Sequence, residues 1–218
     1  SIMASMKEDS KFSNFDEQAK DLANELNIYL TRVIQDQFKV DSYLECQFET
    51  VFDQIFFPVA RGSQEGAKKR YVGLHHNQLS FKGMEFVRSD WTELAKNFQK
   101  EIFTKYFNGE PIEDFIKSYI KSLESGFFDD LLIYTKRLSK APQEYTKNIP
   151  VHVKAALKIK HTGPYRLKEV KYVITPNGPE PIDNSPTKFD YAHYIEKQLK
   201  PIADDILVSQ DSSFDSFI

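Results

Sequence analysis

The chain has 218 residues, 40% of them hydrophobic and 28% charged, and these proportions are ordinary for a globular protein with a normal core. No apolar run approaches the roughly 18 residues of a membrane span, and the first residues lack the pattern of a secretion signal, so we expect no membrane partner. The single cysteine, Cys46, excludes an internal disulfide bond and is typical of a reducing compartment such as the cytoplasm.

The first 88 residues are predicted to form one long helix and a small antiparallel sheet. Residues 1–13 are polar and aperiodic, which is typical of a tail. Asn14 is a suitable cap for a helix over residues 15–38, in which apolar side chains recur at helical spacing. Aromatic and β-branched residues predict strands at 43–58, 69–74 and 78–82, and glycine or polar residues predict turns at 61–66 and 75–77.

Residues beyond Arg88 are predicted to be mainly helical, and the change in composition there marks the predicted domain boundary. Ser89 or Asp90 is a suitable cap for the first of these helices, and Gly109 and Pro111 end it. The later predicted elements are helices at 111–124, 150–157 and 188–207, strands at 131–134 and 170–174, and a rigid turn at 176–181. Together these elements predict an α+β fold.

Charge is distributed unevenly along the chain. The whole chain carries −3, but residues 131–171 hold ten basic residues against two acidic ones, a local charge of +8. The basic residues are Lys136, Arg137, Lys140, Lys147, Lys154, Lys158, Lys160, Arg166, Lys168 and Lys171. A basic segment in an acidic chain indicates an anionic partner, such as nucleic acid, on one face. The alternative is a solvated loop with surplus lysines.

The densest basic cluster comprises Lys68, Lys69 and Arg70 and is followed by Tyr71. Because alternate side chains of a strand share a face, Lys69 and Tyr71 would point one way and Lys68 and Arg70 the other. One face could then present a cation and a hydrogen-bonding ring to a DNA groove, while the other meets acidic neighbours. Alternatively, the cluster is a basic edge strand that prevents aggregation. Arg88 is a further candidate for a phosphate contact.

The sequence shows no catalytic site of its own. The five histidines have no cysteine or carboxylate at a ligand spacing, and there is no nucleophile elbow or phosphate-binding glycine loop. Glu45 and Glu49 would share a strand face and could hold a metal ion, with a surface ion-pair ladder as the alternative. We therefore expect the chain to bind no cofactor and not to be a small hydrolase.

Four segments, in this order, resemble family B DNA polymerases. They are residues 68–74 and 81–91, which are similar to the end of the palm, and residues 172–181 and 190–201, which are similar to the bacterial polymerase II branch. The resemblance implies a palm remnant over residues 14–88 and a thumb over residues 89–207, followed by a tail at 208–218.

The resemblance also implies roles for the basic residues. In such polymerases the Lys-Lys-Arg-Tyr segment lies along the minor groove of the primer–template duplex, where a lysine and a phenol check shape rather than sequence. Thumb loops contact phosphates, which is a sequence-independent and salt-sensitive interaction. The DNA-binding candidates are therefore Lys68, Lys69, Arg70, Tyr71, Arg88, Lys136, Arg137, Lys140, Tyr145 and His152, with Lys69 and Tyr71 as the foremost groove contacts.

The chain departs from the family pattern in three places. The Ser-Leu-Tyr-Pro and Asp-Thr-Asp motifs, whose aspartates hold two metal ions in the family, are absent, so we expect the chain to begin after them and not to polymerise DNA by itself. Gln47 stands between Glu45 and Glu49, where the family often has a third acid near an accessory metal. Residues 214–218 match the family's clamp-docking segment poorly.

The expected function is thus to bind primer–template duplex DNA as part of a DNA-directed DNA polymerase. The parent enzyme is expected to require Mg²⁺, to associate with the nucleoid and the sliding clamp, and to serve repair or damage-bypass synthesis. The alternative is a free-standing α+β module that binds nucleic acid or a protein partner without polymerase activity.

Overall fold

The computed structural model describes residues 3–7, 11, 13–59, 67–160, 167–208 and 213–216. The chain divides into two compact units, one made of Ser1–Ile55 with Gly73–Gln78 and the other of Phe56–Val72 with Leu79–Ile218. The turn predicted at 61–66 lies outside the described residues, and the palm and thumb limits stay predictions. In the parts of the chain that are described, no helix is long and apolar enough to cross a membrane.

The long first helix, α1 (Phe15–Phe38), is confirmed at both ends. The side chain of Asn14 accepts a hydrogen bond from the Glu17 N–H at 2.9 Å, which satisfies one of the free donors of the first turn. Lys39 ends the helix with a left-handed backbone (φ 55°) and donates its N–H to the Gln35 carbonyl. No α1 residue is buried, and Ile28, for example, is 63% exposed.

Most of the strand predicted at 43–58 is wrong, because this segment is irregular outside Gln54–Phe56. The side chain of Asn27 in α1 serves as its hydrogen-bond partner: Nδ2 donates to the Cys46 carbonyl at 2.9 Å, and Oδ1 accepts the Cys46 N–H at 2.7 Å. A side-chain amide therefore satisfies the backbone groups that a neighbouring strand would otherwise bond. The first strand, β1, is only Gln54–Phe56.

The predicted pair of strands around His75 is confirmed as β2 (Tyr71–His75) and β3 (Gln78–Lys82), in a sheet of order β1-β2-β3. His76 and Asn77 both have positive φ angles (47° and 60°), the conformation that joins two strands through a tight hairpin. The His76 N–H also donates to the Asp53 carboxylate at 2.9 Å. Gly73 is required here because a Cβ would lie 2.2 Å from the Phe52 ring.

A second antiparallel sheet has the order β4-β5-β6, formed by β4 (Tyr134–Arg137), β5 (Glu169–Thr175) and β6 (Gly178–Pro181). The prediction of a strand at 131–134 is shifted: Asp129–Leu131 is a 3₁₀ turn, and the buried Leu132 precedes the strand. Residues 176–181 are not only a turn, since Gly178–Pro181 pairs with β5. Prolines are tolerated in β6 because it is an edge strand.

The helices of the second unit are α2 (Glu93–Phe107), α3 (Glu113–Glu124), α4 (Val151–Ala156), α5 (Tyr191–Tyr194) and α6 (Lys200–Leu207). The predicted cap of α2 at Ser89 or Asp90 is wrong, because the hydroxyl of Thr92 accepts the Ala95 N–H instead. The remaining predicted helices are present with small shifts at their ends. Large side chains such as Phe98, Phe103 and Tyr194 fill the core.

A π-helical turn, Ile195–Leu199, joins α5 to α6. Pro201 follows it and has no N–H to donate to the carbonyl four residues earlier, that of Lys197. The Gln198 side chain also donates Nε2 to the Lys197 carbonyl oxygen at 3.4 Å. Its Oε1 accepts the N–H and the hydroxyl of Thr92 at 3.2 and 2.9 Å, so one buried side chain joins the last helix to the start of α2.

Candidate nucleic-acid interface

All ten predicted DNA-binding residues lie in the second unit, and they form three groups. The first comprises residues 68–71, and we call its two exposed lysines, Lys68 and Lys69, the basic turn. Both lysines are exposed, and Lys69 has a left-handed backbone with φ 60°. Because β2 begins only at Tyr71, the predicted alternation of residues 68–70 along a strand is wrong.

Gly83 packs directly against the backbone of the basic turn. It has a φ of +63°, and a Cβ built on it would lie 2.4 Å from the Lys69 carbonyl oxygen. Only glycine permits both the backbone conformation and this close approach. The position of the basic turn is therefore determined by backbone packing, and its two lysine side chains remain exposed.

Arg70 lies beside the basic turn but forms ion pairs within the protein. Its Nη2 lies 2.8 and 3.0 Å from the two carboxylate oxygens of Glu85 and 3.1 Å from Oδ2 of Asp205. The side chain of Arg70 is 20% exposed, whereas those of Glu85 and Asp205 are 2% and 6% exposed. The guanidinium thus neutralises two nearly buried carboxylates.

A hydrogen-bonded glutamine completes this group. Gln99 of α2 donates Nε2 to the Glu85 carboxylate at 2.9 Å, and its Oε1 accepts the Phe86 N–H at 2.6 Å. Sequence reasoning missed Glu85, Gln99 and Asp205 as members of the site. Arg70 and Asp205 are 135 residues apart, so no local spacing could have indicated their contact.

Tyr71 is mostly buried, with 7% of its surface exposed. Its ring centroid lies 6.2 Å from that of Phe57, in a tilted arrangement. The ring therefore packs inside the protein, and only this small exposed fraction of Tyr71 is left for the predicted groove contact. That contact stays a prediction.

The second group, the Asp90 cluster, comprises Arg88, Asp90, Lys136 and His152. Arg88 binds the Asp90 carboxylate through Nε and Nη2 at 2.9 and 2.7 Å, and Lys136 Nζ lies 3.9 Å from the same carboxylate. The hydrogen bonds from Arg88 lower the pKa of Asp90 and raise that of Arg88. Burial and the positive charge of Lys136 lower the pKa of His152. Two predicted DNA contacts, Arg88 and Lys136, thus share one acid, and His152 lies within the electrostatic range of Lys136.

The third group lies at the end of β4 and in the loop that follows. Arg137 is exposed on β4, opposite Glu169 of β5. The ammonium of Lys140 lies 4.6 Å from the centre of the Tyr145 ring, a cation–π contact. The Tyr145 hydroxyl is 2.9 Å from the Ser139 hydroxyl, and this hydrogen bond lowers the pKa of Tyr145.

Glu45 and Glu49, the candidate metal-binding pair, do not lie on a strand. Both glutamates lie in the irregular segment before β1, so they do not share the strand face that made them a candidate pair. Among the described residues, no group of three or more histidine, cysteine, aspartate or glutamate side chains is arranged to hold a metal ion.

Comparison with known proteins identifies the family. The family model for DNA polymerase family B matches residues 8–210. The chain belongs to DNA polymerase family B. It is 38% identical over 205 residues to DNA polymerase II of Escherichia coli (strain K12), covering 88% of this chain and 26% of that protein. It is 30% identical over 190 residues to DNA polymerase 2 of Aeropyrum pernix, covering 80% and 22%.

A solved structure agrees with this membership. The family B DNA polymerase of Pyrobaculum calidifontis superposes with a TM-score of 0.57 at 26% identity, over 83% of this chain and 24% of that one. The family expected from the four sequence segments and the α+β fold class are thus confirmed. The chain spans about a quarter of the length of these relatives.

Proposed function

We propose that this chain binds primer–template duplex DNA as part of a DNA-directed DNA polymerase. The observation that carries the proposal is the exposed basic turn, whose lysines project from a backbone that Gly83 packs against. Lysines at the end of a well-packed turn suit a minor groove, which offers acceptors at similar places for every base pair. This sequence tolerance is what a polymerase requires.

The Asp90 cluster and the Lys140–Tyr145 contact support a second region of binding, to phosphates. Arg88 and Lys136 are 50% and 36% exposed at their side chains, so both retain surface for a phosphate oxygen. Phosphate contacts of this kind are sequence-independent and release counterions. The basic turn is proposed to read the groove, and the Asp90 cluster to fix the position of the duplex.

Fluorescence anisotropy with a labelled primer–template duplex, measured across a salt series, tests the proposal. Lys136→Ala should weaken binding and reduce the log–log salt slope by about 1, and Lys69→Ala should weaken binding by about tenfold. Lys121→Ala, an exposed lysine at the end of α3, is the matched control. Salt-independent binding, or equal affinities for all variants, would refute the proposal.

The activity of the complete polymerase is a further part of the proposal. We propose that nucleotide addition, in repair or damage-bypass synthesis at the nucleoid, requires the magnesium-binding aspartate motifs that this sequence lacks. A primer-extension assay with Mg²⁺ tests it: the 218-residue chain should leave the primer unextended. Extension at a rate above that of a buffer control would contradict the proposal.

A sliding clamp is the remaining proposed partner of the complete polymerase. In this chain Phe214 is fully buried, its N–H donates to Asp204 at 3.2 Å, and Lys200 forms an ion pair with Asp215. Clamp docking through this segment would therefore require the release of Phe214. A clamp pull-down that compares the chain with Asp204→Ala tests this requirement: the variant loses the acceptor of the Phe214 N–H but keeps Phe214, so it should bind the clamp better.

A further inference from the structure

We propose that Arg70 is a positioning residue, which together with Asp205 of α6 holds the basic turn in its DNA-binding conformation and does not itself contact DNA. The inference rests on the proposed function, because it assumes that Lys68 and Lys69 meet the duplex. It replaces the role that the sequence predicts for Arg70 and adds Asp205, which lies 135 residues away.

The charges around Arg70 oppose a direct contact with DNA. The side chains of Glu85 and Asp205 are almost completely buried, and both carboxylates lie 2.8–3.1 Å from the same nitrogen of the guanidinium. If Arg70 turned toward a phosphate, it would leave two buried negative charges without this partner, which is strongly unfavourable. The same carboxylates would then repel the phosphate.

The geometry explains how Arg70 acts on its neighbours in the chain. One short segment holds both sides of the turn: Gly83 lies against the Lys69 carbonyl, and Glu85, two residues later, binds Arg70. Gln99 orients the Glu85 carboxylate from α2. The basic turn is thus held between a backbone contact and an ion pair.

Asp205 extends this arrangement to the carboxy-terminal helix. Its position is well determined, because Ile202, Ala203 and Ile206 of the same helix are fully buried. Arg70 therefore binds a carboxylate on a well-packed helix, α6. This ion pair restricts the movement of the basic turn, which directly precedes Arg70. Rigid placement of a contact residue increases affinity because less conformational freedom is lost on binding.

Asp205→Asn distinguishes the two roles of Arg70 by the sign of its effect. If Arg70 contacts DNA, removing a negative charge from its side should leave binding unchanged or strengthen it. If Arg70 and Asp205 position the turn, the same substitution should weaken binding by about three- to tenfold, although it makes the protein less acidic. The assay is anisotropy of the 218-residue chain with the labelled duplex.

A double-mutant cycle separates positioning from general destabilisation. In a Lys69→Ala background the effect of Asp205→Asn should largely disappear, because the contact that it positions is gone. In a Lys136→Ala background the effect should persist in full. Equal effects in both backgrounds would mean that Asp205 acts on the fold as a whole, and this result would overturn the inference.

Gly83→Ala gives an independent test if Asp205→Asn does not fold. It removes no charge, but its Cβ would displace the Lys69 carbonyl, so it should weaken binding in the wild-type background and not in the Lys69→Ala background. Failure of the proposed function is recognisable separately: Lys69→Ala would then have no effect. If Lys69→Ala weakens binding while Asp205→Asn or Gly83→Ala does not, only the positioning role is refuted.

Discussion

The side chain of Gln198 forms hydrogen bonds with Thr92, at the start of α2, and with Lys197, in the π-helical turn. Gln198→Leu removes these bonds but still fills the space with a side chain. The residue is 5% exposed, and its partner Thr92 is fully buried. The substitution removes the acceptor for the Thr92 N–H at 3.2 Å and for the Thr92 hydroxyl at 2.9 Å. It also removes the donor to the Lys197 carbonyl at 3.4 Å.

The expected loss of stability follows from these bonds. A buried donor left without a partner costs about 1–3 kcal/mol. The Thr92 N–H carries this penalty in full, whereas the Thr92 hydroxyl still accepts the Ala95 N–H and carries only part of it. The long bond to Lys197 adds little. We expect a decrease of about 2–4 kcal/mol in the free energy of unfolding, or about 5–15 °C in melting temperature.

Urea denaturation followed by tryptophan fluorescence measures this loss. Trp91, the single tryptophan, precedes Thr92 directly and so reports on the unit that contains Gln198. Gln143→Leu, at an exposed position in the Pro142–Glu144 turn, is the control and should change stability by less than about 0.5 kcal/mol. If Gln198→Leu matches this control, the π-helical turn does not depend on the side-chain bonds.

Two further predictions concern the pH dependence of binding and the segment after α1. Burial and the charge of Lys136 hold the pKa of His152 below its ordinary 6.5, and a phosphate bound beside Lys136 should raise that pKa. DNA should therefore bind more tightly as the pH falls from about 7.5 to about 6, by at most tenfold per pH unit. His152→Gln should abolish that change, and a pH dependence that survives in the variant would exclude His152 as its source. Asn27→Ala should release the backbone of Cys46 and increase the rate of alkylation of this single thiol, measured by mass spectrometry, whereas the exposed Asn24→Ala should not.

The candidate site shows which functional residues local sequence patterns can predict and which contacts they cannot. Clusters of basic residues identified the basic turn and the residues of the Asp90 cluster, because charge is visible in the sequence itself. The family resemblance made Arg70 a DNA-binding candidate, and the structure instead pairs it with Glu85 and Asp205. A cationic side chain has the same appearance in a sequence whether its partner is a phosphate or a distant carboxylate.

Features that depend on neighbours in the chain were determined by the sequence alone. The limits of α1 follow from Asn14 and from apolar spacing, and the β2–β3 hairpin follows from two strand patterns around a polar turn. Family membership also follows from the order of four segments. The limits of α1 and the hairpin depend on residues only a few positions apart, where backbone geometry translates spacing directly into structure.

Features that depend on distant partners were decided only by the tertiary structure. Asn27 holds Cys46 in an irregular segment that has strand-like composition, and Gln198 lies against Thr92 across 106 residues. Arg70 meets Asp205 across 135 residues. A hydrogen bond or ion pair in the interior goes to the partner that packing brings within about 3 Å, and no local periodicity encodes that distance.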